Sequence, residues 1–324
     1  MMASELRLGF IGFGEAASRF AQDLAQAGLQ PIAAYSPSAA KAGADDSVSR
    51  KAANAGVELV PTLKALCERS TLIVSLTPGK LALPVLRKVR RHLKAHHIYV
   101  DASTASVKDM ERAAQMLGGG AAFVDAAVMD PVPMNGIKVL TVASGSHAEA
   151  FRALLAPYGM NIQVVGEKAG AASAMKLLRS VCMKGLAALL LESLEAAQRY
   201  GIADALTADM ARFINGRPFE DVMKRFVCGT AIHAGRRVHE VSEAMALLKS
   251  LGASTRMTKS TRETLQSIEA MGLRERFGAR EPDTMAPVLD AIIEVREKPA
   301  GNAKEAPSGP RAENAKEGNQ GFPP

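Results

Sequence analysis

The sequence predicts an α/β domain followed by an all-α domain, and three observations carry that prediction. Over residues 1–166 short apolar runs alternate with amphipathic helical stretches. Beyond residue 166 the strand pattern stops and every later segment has helical spacing. Between the first strand and the first helix lies a glycine-rich turn, Gly12-Phe13-Gly14. Strands alternating with helices argue for a mostly parallel sheet covered on both faces.

Taken in order, residues 6–11 read as a short buried strand, and the next stretch sets Ala17, Phe20, Ala21, Leu24 and Gly28 on one helical face. Residues 31–35 form a second strand. A third apolar run, 72–76, is stopped by Thr77-Pro78-Gly79, and the run at 98–100 leads into Asp101. Runs at 123–128, 139–143 and 162–165 complete the sheet. Residues 171–200 form one long helix without Pro and with a single interior glycine, Gly185. From Leu186 to Leu191 it is apolar nearly all round, which predicts burial on every side. Further helices are expected around 208–215, 219–226, 238–251, 259–271 and 285–297. The last stretch, 299–324, is rich in Pro, Gly, Asn and Lys and too poor in apolar residues to order itself. The reading is thus a dinucleotide-binding domain over 1–166, a helical substrate and dimerisation domain over 167–298, and a disordered tail over 299–324.

Composition narrows the function. The chain has 324 residues, 48% of them hydrophobic, only 4% aromatic, and a formal net charge of +7. The length fits about two domains. So few aromatics disfavour base-stacking surfaces, and no basic run is interleaved with them, so nucleic acid is not an expected partner. Cys67, Cys182 and Cys228 have neither disulfide-framework nor metal-site spacing, which points to a reducing, cytoplasmic setting. The N-terminal apolar run is broken by Arg7 and is not a signal peptide, and no later run approaches the ~20 residues of a membrane span. His92, His96 and His97 lack a carboxylate or Cys at ligand spacing and are read as surface residues; no metal is expected. In the tail Lys304, Arg311 and Lys316 balance Glu305, Glu313 and Glu317, so the excess charge belongs to the folded body. There it suits a phosphorylated dinucleotide and a small anionic substrate.

The turn from Gly12 to Ala17 is G-x-G-x-x-A, placed between a strand and an amphipathic helix. Gly12 permits the tight turn, Gly14 lets the backbone approach a pyrophosphate, and Ala17 allows close helix–strand packing. The free N–H groups of the helix start attract the anion. Gly12, Phe13, Gly14, Glu15 and Ala16 are therefore candidate cofactor residues of a Rossmann domain, with Thr77 and Pro78 beyond the 72–76 strand. The second strand ends in Ala34-Tyr35-Ser36-Pro37-Ser38 without the acid that holds a ribose 2′-OH. Ser36, Ser38 and Lys41 suit a 2′-phosphate instead. NADP(H) is the preferred cofactor, with NAD(H) possible.

The chemistry is sought at two places. Ser103 and Thr104 follow a strand end and can donate hydrogen bonds to a carboxylate or carbonyl; the same residue types also cap helices. Lys176, Ser180 and Lys184 share one stripe of the long helix. A desolvated lysine has a lowered pKa and exchanges protons near neutral pH, as a carbinol–carbonyl interconversion requires. Farther on, His233, Arg236, Arg237 and Glu240 fall on one broad helical face, and either arginine could bind an anion bidentately.

These residues resemble the β-hydroxyacid dehydrogenases, the group of the 6-phosphogluconate and 3-hydroxyisobutyrate dehydrogenases. The resemblance spans residues 6–297. It rests on LGFIGFGEAASRFAQDLAQAG, IVSLTPG, VDAST and the GAASAMKLLRS stretch from Gly170 to Ser180. It implies a Rossmann domain followed by an all-α C-terminal domain, and NAD(P)-dependent oxidation of a 2- or 3-hydroxy acid or reduction of its oxo form. It further implies Lys176 as acid–base residue and Ser103 as a ligand of the substrate carboxylate. Three departures stand out. Ser180 replaces the family's Asn, Asp130-Pro131-Val132-Pro133 replaces its Gly-Gly loop, and His239-Glu240 stands where a Lys-Asp pair is usual. With AIHAGRR, these features resemble a subgroup whose C-terminal domain has no assigned function. Ser180 and His239 are carried as catalytic and substrate-binding candidates. An imine or pyrroline reductase, or a non-catalytic NADP(H)-binding protein, are the alternatives, and the apolar long helix predicts a homodimer.

Overall fold

The computed structural model describes residues 6–37 and 47–298. The tail and Ser38–Asp46 lie outside the described residues. Contacts divide the chain into two compact units, Met1–Lys184 and Gly185–Pro324.

The first unit is built on β1 (Leu8–Ile11), β2 (Ile32–Tyr35), β3 (Glu58–Leu59), β4 (Leu72–Ser75), β5 (Ile98–Asp101), β6 (Ala122–Val128), β7 (Thr141–Ser144) and β8 (Ile162–Gly166). Their order in the sheet is β3-β2-β1-β4-β5-β6-β7-β8. Neighbours are parallel except β6 and β7, which run antiparallel. The strands β1 and β4 are buried at every position, as apolar strands covered on both faces must be. One face packs Phe10, Phe20, Leu24, Val100 and Phe151. The other packs Ile11, Leu66, Ile73, Leu86, Tyr99 and Phe123. The intervening helices are α1 (Glu15–Gln26), α2 (Ser47–Asn54), α3 (Leu63–Arg69), α4 (Ala82–Val89), α5 (Val107–Leu117), α6 (Val132–Asn135) and α7 (Ala148–Leu155). Two of them start on side-chain caps: Thr62 accepts from the Ala65 amide, and Ser106 from the Asp109 amide. The two-residue β3 has no expected counterpart, because a pair of residues carries no period.

After β8 the described chain is helical: α8 (Ala171–Tyr200), α9 (Ala203–Asn215), α10 (Phe219–Ser250), α11 (Arg256–Ala270), α12 (Leu273–Arg276) and α13 (Ala286–Glu297). The second unit packs Cys228, Ile232, Ile268, Leu273 and Val288 into its own core. Where two helices were expected over 219–226 and 238–251, α10 is continuous and only kinks, at His233 (φ −116°, ψ 18°). Arg274 Nη1 donates to the Ile232 carbonyl beside the kink at 3.3 Å. The expected all-round burial of α8 is corrected: Leu186 and Leu189 are 41% exposed and Leu191 is 74% exposed. Leu186 and Leu189 line a groove with Leu206 of α9 and Leu247 of α10, which covers that face only in part. None of the described helices is long and apolar enough to cross a membrane.

Candidate active site

The strand order reverses at β1, whose neighbours are β2 and β4. Open α/β sheets bind ligands beyond the carboxyl ends of the strands at such a point. Both turns that leave it are fixed by backbone bonds: Gly12 N–H donates to the Tyr35 carbonyl and Leu76 N–H to the Ile11 carbonyl, each at 2.9 Å. Gly12 has φ +83°, and a Cβ on it would stand 2.9 Å from the Leu76 oxygen and 3.0 Å from Thr77 Cγ2. Only glycine fits. Gly14 differs, because a Cβ there would meet no protein atom within 4 Å. It precedes the first turn of α1, which has no side-chain cap. An uncapped helix start behind an open glycine fits a dinucleotide pyrophosphate. Glu15 is exposed and Ala16 half-buried in that first turn. Phe13 corrects its expectation in part: its ring is 2% exposed and packs in the sheet core, leaving only its backbone for a ligand. Ser36 is buried just after β2, while Ser38 and Lys41 lie outside the described residues. Thr77 is half-buried with Oγ1 3.5 Å from Ser75 Oγ, and Pro78 is exposed.

Along the same edge four buried polar residues are neighbours in register: Ser75 opposite Asp101, Asp101 opposite Asp125, and Asp125 opposite Ser144. Asp101 Oδ1 accepts the Ser103 amide at 3.0 Å. Asp101 Oδ2 and the Ser103 hydroxyl are buried with no hydrogen-bond partner among the described residues. Burial pushes the Asp101 carboxyl up to about 6 against the pull of Ser103, and the nearby Asp125 adds to the rise. Next in the chain, Thr104 takes a left-handed backbone (φ 55°). Its Oγ1 accepts from Lys176 Nζ at 3.2 Å. Burial, then the Arg179 and Lys184 charges, lower the Lys176 ammonium from its ordinary value, and Asp130 opposes them. Arg179 Nη2 donates to Asp130 Oδ1 at 2.9 Å and Nη1 to the Met129 carbonyl at 2.7 Å. The structure thus brings Ser103, Thr104 and Lys176 together. Ser180 is half-buried one turn farther along α8.

In the second unit the basic face is differently engaged. Arg237 folds back across the kink onto Thr230 Oγ1 and, at 3.4 Å, the Phe226 carbonyl. Arg236 Nη1 lies 3.5 Å from Glu240 Oε1, and His239 is exposed. His233 Nε2 lies 3.5 Å from Glu281 Oε1. Residues that sequence reasoning passed over include Asp101 and Asp125 as anchors, and the Arg179–Asp130 pair. The available signal was an acid inside an otherwise apolar strand, since a buried charge must find partners. His97 was misread: it is 1% exposed, with Nδ1 accepting the Lys94 amide at 2.7 Å and Nε2 2.9 Å from the Cys67 carbonyl. One of three histidines in a basic stretch, it carries no sequence sign of that pocket.

Comparison with known proteins follows the same division. The NAD binding domain of 6-phosphogluconate dehydrogenase matches residues 7–166, and a domain of unknown function (DUF1932) matches residues 197–268. An uncharacterized 28.5 kDa protein of Methanothermus fervidus is 30% identical over 264 residues, 82% of this chain and 99% of that protein. Among solved structures, a conserved protein of unknown function, described as similar to 3-hydroxyacid dehydrogenases, is 31% identical. The match covers 83% of this chain and 99% of that one at a TM-score of 0.56. An imine reductase variant from Myxococcus stipitatus, in complex with NAD+, shares the fold at a TM-score of 0.71 and 19% identity, covering 89% of this chain and all of that one.

Proposed function

Since the chain belongs to the family that joins the NAD-binding domain of 6-phosphogluconate dehydrogenase to that domain of unknown function, we propose that it is an NADP(H)-preferring dehydrogenase or reductase of a small 2- or 3-hydroxy acid. The observation that carries this reading is Lys176, a half-buried ammonium of lowered pKa held on Thr104 Oγ1 at 3.2 Å beyond the end of β5. The nicotinamide, when bound, gives or takes the hydride. Gly12, Gly14 and the first turn of α1 hold the dinucleotide phosphates. Ser36 at the end of β2 supports the phosphorylated cofactor, because no acid stands there to favour a free 2′-OH. Ser103 and Thr104 bind the substrate carboxylate. Lys176 Nζ takes the hydroxyl proton during oxidation and returns it to the oxygen during reduction. Burial lowers its pKa, which eases the loss of the ammonium proton.

We propose further that the enzyme is a homodimer closed over the apolar face of α8. The exposed Leu178 and Leu191, and a 680 Å³ groove of the second unit lined by Leu186, Leu189, Leu206 and Leu247, support a second copy as the cover. Three free cysteines suit a cytoplasmic setting.

The test starts with fluorescence titration of NADPH and NADH, followed by absorbance assays on hydroxy acids, sugar acids and cyclic imines. Tighter binding of NADH overturns the cofactor preference. On the hydroxy-acid substrate, Lys176→Ala should cut turnover by about 10²–10⁴, the usual share of general acid–base catalysis. Unchanged turnover removes Lys176 from the chemistry. Activity confined to cyclic imines makes the chain an imine reductase, and cofactor binding without turnover makes it a sensor.

A further inference from the structure

The long helix α8 is held by the sheet rather than by its own sequence. The first amides of an α-helix have no partner within it, and here three of the amides that open α8 end on side chains of β6 and β7. Asp125 Oδ2 accepts the Gly170 and Ser173 amides, each at 3.0 Å. Its Oδ1 accepts the Ser173 hydroxyl at 2.7 Å. Ser144 Oγ accepts the Ala172 amide at 3.0 Å and donates to Asp125 Oδ2 at 3.1 Å. Lys176 lies one turn beyond Ser173. On the neighbouring strand, Asp101 holds the Ser103 amide, and the next residue is Thr104, which accepts the Lys176 amine. The two aspartates are partners in register across β5 and β6, and each is at most 1% exposed.

We propose that Asp125 and Asp101 are paired positioning residues: Asp125 sets the helix that carries Lys176, and Asp101 sets the loop that carries Thr104. The register of two adjacent strands then fixes the Lys176–Thr104 contact. This rests on the reading of Lys176 as the acid–base group.

The two carboxyls divide the work unequally. Asp125 meets four donors. Asp101 meets one and keeps an unpartnered Oδ2, and burial, with the neighbouring Asp125, raises its pKa. An amide at 101 keeps the Oδ1 acceptor for the Ser103 amide, the one hydrogen bond that Asp101 makes among the described residues. At 125 an amide turns an N–H₂ or a weaker acceptor toward the donors of α8.

The test needs no substrate. Full-length protein is methylated with formaldehyde and a borane reductant across a pH series, and the Lys176 peptide is followed by mass spectrometry. Amide exchange is read in parallel over residues 170–173. In the parent chain Lys176 should react at lower pH than exposed lysines such as Lys64. Asp125→Asn should shift its curve toward theirs and speed exchange of the 170, 172 and 173 amides by about 10- to 100-fold, the loss of charge-assisted bonds. Asp101→Asn should leave both readouts in place. Ser144→Ala, which removes the Ala172 acceptor, should give a smaller shift in the direction of Asp125→Asn and serves if that variant does not fold. Faster exchange with an unmoved Lys176 curve would make the Asp125 contacts a structural cap and overturn the proposal. Equal shifts from both amide variants, or no shift from Ser144→Ala, would overturn it as well. Retained turnover in Lys176→Ala would instead defeat the acid–base reading and leave these curves unchanged.

Discussion

At the scale of single residues, the two glycines of the cofactor turn make opposite demands and predict separable defects. Gly12→Ala forces an L-residue to φ +83° and a Cβ against the Leu76 carbonyl. It should destabilise the chain by about 1–3 kcal/mol and weaken NADPH binding together. Gly14→Ala has ordinary angles and an unobstructed Cβ (φ −86°, ψ −160°). It should leave the melting temperature in place and weaken binding alone. Melting curves with and without NADPH separate the two, and a stability loss in Gly14→Ala contradicts the assignment of that space to the cofactor. Both glycines were legible because a turn motif is local and its neighbours in sequence are its neighbours in space. For Lys176 the sequence suggested desolvation, and the structure finds it half-buried with a lowered pKa; its role in the chemistry is the proposal above. Asp101 and Asp125 were not legible, since an aspartate in a strand does not reveal which amides will reach it, and the amides that reach Asp125 lie 45 and 48 residues away.

At the scale of elements, a second helix repeats this arrangement. Helix α11 has no side-chain cap from Thr255. Its first amides reach Glu192 of α8: Thr258 N–H at 2.8 Å and Met257 N–H at 3.0 Å, with the Thr258 and Ser254 hydroxyls at 2.7 and 2.9 Å. Burial alone would raise the Glu192 pKa, but these donors outweigh it and hold it below the ordinary glutamate value. A depressed folded pKa means that the unfolded chain binds the proton first as acid is added. The stabilisation is complete above the ordinary glutamate pKa and is lost as the pH falls through the folded value. Melting temperatures over a descending pH series should show this, and Glu192→Gln should flatten the slope. Glu192→Ala leaves two amides without acceptors and should cost roughly 2–4 kcal/mol at neutral pH. A cost near zero would mean that water replaces the carboxylate. The element pattern itself was largely legible, because short apolar runs mark β1, β2 and β4 and helical periodicity marks α1. The continuity of α10 was not. Glycines at 229 and 235 weaken the helical signal, and the Arg274 and Arg237 contacts that carry the helix past His233 come from side-chain geometry that spacing does not encode.

At the scale of the whole molecule, the proposed homodimer rests on the apolar stripe of α8. Sedimentation at micromolar concentration should give twice the chain mass, and Leu178→Glu with Leu191→Glu should halve it. These side chains are 70% and 74% exposed in the single chain, so each change should alter the stability of an isolated copy by no more than about 0.5 kcal/mol. A wild-type monomer contradicts the dimer. The sequence showed that this helix was too apolar for water, but not what would cover it, because a stripe of leucines reads alike whether its cover comes from the same chain or from another. The sheet-borne cap of α8 also has a consequence in time. Its cap is complete only when β6 has paired with the reversed β7, which brings Ser144 to the Ala172 amide and to Asp125, so the first turn of α8 is expected to close late on the folding route. Interactions absent from the transition state act on unfolding alone. Asp125→Asn should therefore hasten unfolding in stopped-flow denaturant jumps while refolding proceeds at the parent rate. The lysine-bearing end of the helix is then the last part of its unit to be secured and the first to be released.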